Sequence, residues 1–174
     1  MEQDMANEKF LEMMRTAAKK MLEEEALRKP VDWDARREWW MEKLEALYSS
    51  VEEWMAPLTT DGTFILKRIE KTIKEEALGH YKTTRLEIAL GSSKIILEPI
   101  GSIIIGAFGR VDVSGPNGKT RLILTTPRDS DVGNYKQNAT WHVADSDNKL
   151  TLVQLDGPEF LRVIGRLFDL NRAP

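Results

Sequence analysis

The stretch Lys94–Ser114, KIILEPIGSIIIGAFGRVDVS, decides how this chain is read. It is apolar and rich in β-branched side chains, and Gly101, Gly106 and Gly109 interrupt it. β-branched residues suit a pleated surface, and glycine inside a strand marks a bend or a bulge. The stretch is therefore expected to form the centre of a sheet, with strands over 94–98, 102–107 and 110–114. Pro99 has no N–H to give to a ladder, so the first strand should end there or lie at an edge.

The pattern continues on the C-terminal side. Pro116-Asn117-Gly118 is a hairpin turn leading into a strand over 120–125. Residues 127–138, PRDSDVGNYKQN, read as a long loop, followed by short strands over 140–144 and 150–155 joined by Asp145-Ser146-Asp147-Asn148. A closing helix begins after Asp156, which is placed to cap it, with Pro158 at its first helical position. Phe160, Leu161, Ile164, Leu167 and Phe168 give that helix one apolar face.

On the N-terminal side, Leu86, Ile88 and Leu90 alternate with Arg85 and Glu87, a half-buried strand that turns at Gly91-Ser92-Ser93. Upstream of this the period changes. Ile65, Ile69, Ile73 and Ala77 repeat every four residues, which predicts a helix over 64–78 with Gly79 just past its end; the alternative is a strand, which would need an alternation that Leu66-Lys67-Arg68-Ile69-Glu70 lacks. Residues 3–28 predict an amphipathic helix through Phe10, Met14, Ala17, Ala18, Met21 and Leu22, stopped by Lys29-Pro30. A second helix, capped by Asp32 or Asp34, runs to about Ser49 on Trp40, Leu44 and Leu47. Val51, Trp54, Met55 and Leu58 continue it to Pro57, as one helix or a bent pair. The fold class is α+β: N-terminal helices, then a mostly antiparallel sheet of six or seven strands closed by a C-terminal helix. The division expected is a helical region over 1–80 and a sheet region over 81–174, which together could form one continuous domain.

The totals exclude several function classes. Cysteine is absent, which removes disulfides, thiolate metal sites and cysteine nucleophiles. Net charge is −3; residues 1–80 carry 13 basic against 18 acidic side chains, and residues 81–174 carry 12 against 10. Neither half is a basic patch, so nucleic acid is disfavoured as a partner. The first ten residues are acidic and lack an apolar core, and no apolar run approaches the length of a membrane helix, so the expected location is cytoplasmic.

Chemistry-bearing motifs are sparse. Gly115-Pro-Asn-Gly-Lys-Thr120 ends like a phosphate-binding loop, but such a loop needs a glycine at position 113, where valine stands. His80 and His142 are the only imidazoles, 62 positions apart, and neither has a recognisable catalytic setting. Asn138-Ala139-Thr140 matches a glycosylation sequon without a secretion signal. Glu75 and Glu76 at an acidic helix end, followed by Glu98 and a hairpin carrying Asp112, resemble the front half of the PD-(D/E)xK nuclease core. That resemblance implies a metal site around Glu76, Glu98 and Asp112. The next strand departs from the pattern, reading Leu122-Ile-Leu-Thr-Thr126 where an acidic residue and a lysine belong. The nuclease or hydrolase it implies would be degenerate. No cofactor motif is present.

A bias in the large adaptable side chains is more informative. All seven methionines and four of five tryptophans lie in the first 55 residues. Trp39 and Trp40 are adjacent, as are Met13 and Met14, and neighbours on a helix point about 100° apart. Not all of them can face one core. Methionine and tryptophan in excess of a core suit a partner-binding face. The expected function is a non-enzymatic interaction module, an adaptor, accessory subunit or inhibitor. It would use Met13, Met14, Trp33, Trp39, Trp40 and Trp54 to bind another protein or itself through residues 1–58.

Overall fold

The computed structural model describes residues 2–27, 30–144 and 151–171. The chain divides into two units, Met1–Asp32 and Trp33–Pro174. The first holds one helix, α1 (Glu2–Leu27). Its surface is laced by local contacts one turn apart: the Thr16 hydroxyl donates to the Glu12 carbonyl at 3.0 Å, and Arg15 lies 3.8 Å from the Glu12 carboxylate. From residue 7 to residue 27 every side chain of α1 is exposed.

The second unit begins with α2 (Trp33–Thr59), a single helix across both of the expected pieces. Trp40, Leu44, Leu47, Val51 and Met55 recur at three- and four-residue spacing and are almost completely buried. Pro57 does not stop the helix where it stands. It lies in the last turn, and the chain leaves the helix at Thr59. A proline has no N–H for the carbonyl four residues back, here that of Glu53, and the helix ends two residues further on.

The sheet has seven strands, β1 (Ile65–Glu75), β2 (Gly79–Leu90), β3 (Ser93–Gly101), β4 (Gly109–Gly115), β5 (Gly118–Thr125), β6 (Thr140–Ala144) and β7 (Leu152–Gln154). They lie in sequence order, every pairing is antiparallel, and the sheet is open. Cross-strand ladders explain the core. Leu86, Leu97 and Val113 are successive register partners, as are Val111, Leu122 and Val143. All six are buried and belong to the same apolar cluster as the α2 stripe. Burying an aliphatic side chain of this size contributes about 1.5–3 kcal/mol. At Gly109 the sheet backbone comes so close to α2 that an added Cβ would meet the Trp40 ring at 2.2 Å.

The C-terminal helix α4 (Gly157–Leu167) completes the core through Phe160, Val163, Ile164 and Leu167. Its cap is as expected, the Asp156 carboxylate accepting from the Glu159 N–H at 2.8 Å, and the helix begins at Gly157, one residue before Pro158. Its end is held by the β4–β5 turn. Asn117 donates its backbone N–H to the Leu167 carbonyl and its side-chain amide to the Arg166 carbonyl, each at 3.0 Å. Carbonyls at a helix C-terminus lack intrahelical partners, and this turn supplies them.

Three expectations fail. Residues 64–78 do not form a helix; Ile65–Glu75 is a strand paired with β2 along its whole length. Gly79 follows a three-residue turn rather than a helix and takes φ +75°, a conformation that favours glycine. Residues 102–107 are not a strand either. β3 runs on through Pro99 to Gly101, with a register shift between those two residues, and is flanked by β2 and β4 instead of lying at an edge. The chain then leaves the sheet until Gly109, apart from one isolated bridge between Ile104 and Ala107. The expected long loop contains a 3-10 turn (Asp129–Asn134) and one turn of helix, α3 (Tyr135–Asn138). The turn expected over 145–148 lies outside the described residues.

Candidate interaction surfaces

The aromatic and methionine side chains singled out in the sequence separate into two groups. Trp40 is fully buried, and its indole N–H donates to the Tyr81 hydroxyl at 2.9 Å. Trp39 is buried edge-on against Tyr135 and donates to the Lys136 carbonyl. Trp54 is partly buried on the core, 5.6 Å from the Phe160 ring. These three are occupied by packing within the second unit. Met13, Met14 and Trp33 are exposed. On α1, Met13 and Met14 belong with Phe10, Leu11, Met21 and Leu22, all more than 45% exposed, so the apolar stripe of that helix faces water. Large exposed apolar patches mark interaction sites more often than isolated exposed residues do.

A second exposed apolar element follows β3. Three isoleucines, Ile103, Ile104 and Ile105, form the loop between β3 and β4, and Ile105 is wholly exposed. The base of the loop is fixed from two sides. Arg36 of α2 donates Nε to the Ser102 hydroxyl at 2.7 Å and Nη2 to the Ser102 and Phe108 carbonyls at 3.0 and 3.2 Å. Its guanidinium lies over the rings of Trp39, Phe108 and Tyr135, and Phe108 stacks on Tyr135 with centroids 4.4 Å apart. From the other side, Glu75 accepts the backbone N–H groups of Ser102 and Ile103 at 2.7 and 2.9 Å and the Tyr81 hydroxyl at 2.7 Å. Burial, reinforced by Glu75, pushes the Tyr81 phenol well above the usual tyrosine range, so it stays a donor.

Glu75 reaches Ser102 because the β1–β2 hairpin curls over the end of β3. β2 separates β1 from β3 in the sheet, yet Lys71 of β1 ion-pairs with Glu98 of β3 and donates to the Pro99 carbonyl at 3.1 Å. Around this curl the charged side chains pair with one another. Glu87 takes Arg85 and Lys94, and Arg110 grips Asp112 through both carboxylate oxygens. Arg68 similarly joins β1 to Glu45 and Glu52 of α2.

The three carboxylates of the nuclease-like reading are not brought together. Glu98 and Asp112 are cross-strand partners, each committed to a cation, whereas Glu76 is exposed in the β1–β2 turn. Among the described residues no group of three or more His, Asp or Glu side chains could hold a metal ion. The histidines are on different strands. His80 pairs with Lys74 at the exposed hairpin end, and His142 is buried with Nδ1 3.0 Å from the Thr140 carbonyl. The Gly115–Thr120 segment is the hairpin turn that caps α4. No helix is long and apolar enough to cross a membrane among the described residues.

The Arg36 hub and the isoleucine loop were missed in the sequence. A signal existed, since three consecutive isoleucines bounded by glycines fit a loop as well as a strand, but the arginine that fixes the loop lies 66 positions away. These features define an α+β protein with an antiparallel meander and an exposed amphipathic helix ahead of it. No protein-family model, curated protein or solved structure matches the chain.

Proposed function

We propose that the protein is an interaction module, an adaptor, accessory subunit or inhibitor, and that α1 is its docking element. The observation that supports this reading is the apolar stripe of α1, which is amphipathic in sequence and exposed from residue 7 to residue 27. Amphipathic helices acquire most of their stability from packing that stripe on something. Helix-in-groove recognition uses anchors at i, i+3, i+4 and i+7, the spacing of Phe10, Met13, Met14 and Ala17. Methionines in such a stripe adapt to the shape of a partner. The tryptophans of α2 are not part of the surface, except for Trp33 at its exposed start.

Amide hydrogen exchange on the full chain tests the reading. The α1 amides are expected to exchange rapidly in dilute protein and to slow on association, while those of β3–β5 stay protected throughout. A monodisperse monomer in which α1 is already strongly protected would overturn it.

A further inference from the structure

Resting on the docking role of α1, we infer that its partner is a second copy of the same chain, bound in parallel and in register. The helix carries a heptad repeat centred on its exposed stripe. Met14 and Met21 fall at a positions, Phe10 and Ala17 at d positions, and all are exposed. Flanking positions extend the apolar surface: Leu11 and Ala18 stand at e, Met13 at g. This is the seam that two helices close by supercoiling.

Three features favour the parallel arrangement. In a parallel pair a g residue meets the e residue of the next heptad on the other copy. Here that sets Met13 beside Ala18 of the second copy and Lys20 beside Glu25 of the second copy, one apolar contact and one of opposite charge. By symmetry each occurs twice. An antiparallel pair centred on Met14 and Ala17 would instead set Met13 against Lys20. The third feature is Asn7, the a residue before Met14. A lone asparagine at an a position satisfies its amide against its own symmetry mate, which fixes register and favours two strands. In the antiparallel pair it would face Glu24. In the parallel pair Glu24, at the d position after Met21, faces its own copy, a like-charge contact that weakens the seam beside the Lys20–Glu25 pair and ends it there. Two heptads of phenylalanine, methionine and alanine make a short seam, so the association is weak and concentration-dependent.

Sedimentation equilibrium of the full chain is expected to show a monomer–dimer equilibrium. Met14→Asp should leave only monomer. Lys20→Glu should weaken the dimer about fivefold, because two exposed pairs are lost, and Lys20→Glu with Glu25→Lys should restore it. All three positions are exposed on α1, so near-ultraviolet circular dichroism of the tryptophan-rich second unit should be unchanged. The chain has no cysteine, so Met14→Cys should form a disulfide-linked dimer on mild oxidation. A chain that stays monomeric at every concentration, with α1 exchanging rapidly, overturns the pairing while leaving the docking role standing. Preferential linkage of Met14→Cys to Ala17→Cys in a mixture, rather than each variant to itself, would overturn the parallel arrangement. A monomer with protected α1 would overturn both readings.

Discussion

α1 and α2 are nearly equal in length, 26 and 27 residues, and both repeat apolar side chains at helical spacing. Yet α2 buries its stripe completely while α1 leaves its stripe in water. The side chains differ in a way that fits. The buried stripe of α2 uses Trp40, Leu44, Leu47, Tyr48, Val51 and Met55, bulky residues whose shapes interlock with a sheet. The α1 stripe mixes Phe10 and methionines with Ala17 and Ala18, narrower and more adaptable. Amphipathic periodicity says that a helix will cover something. Whether the cover lies in the same chain depends on matching volumes, which periodicity does not report.

Breaking the α2 side of this comparison should have the largest effect. Trp40→Ala removes a fully buried indole that presses on Gly109 and caps Tyr81, and is expected to cost about 3–5 kcal/mol in a denaturant titration. Arg36→Met comes next. It takes the side-chain donor from the Ser102 carbonyl, leaves the Phe108 carbonyl to the Ser102 hydroxyl, and should cost about 1–3 kcal/mol, with amides 103–107 exchanging faster than in the parent chain. Phe10→Ala on α1 should be smallest, shifting the unfolding of the second unit by less than about 0.5 kcal/mol. A larger loss would mean that α1 supports the rest of the fold, and the contrast between the helices would disappear.

Much of the fold was legible because its signals are local. The turns at Gly91-Ser92 and Pro116-Asn117, the alternation through Leu86 and Ile88, and the Asp156 cap each depend on residues within a few positions. β1 was misread for a physical reason. Ile65, Ile69 and Ile73 are four residues apart, a spacing that lines one side of a helix and also one side of a strand. The residues between them on that strand face, Lys67, Lys71 and Glu75, look like a solvated helix surface. Lys71 and Glu75 are instead polar because the curled hairpin uses them to hold Glu98, Ser102 and Ile103. The same long-range contacts kept 102–107 out of the sheet. At the candidate surface, the sequence marked the methionines and tryptophans together, and only burial separates Met13 and Met14 from Trp39 and Trp40.

The order of the meander bears on how the chain acquires its fold. Every strand pairs with the strand that precedes it, and three of the six joints are two- or three-residue turns. Closing such short loops costs little entropy, so the sheet can grow strand by strand as residues leave the ribosome. α2 is the exception. It is synthesised before the sheet and α4 that cover it, so Trp40, Leu44 and Val51 must wait, uncovered, until those later elements exist. That nascent stage, rather than the native one, is where the second unit is most vulnerable to aggregation.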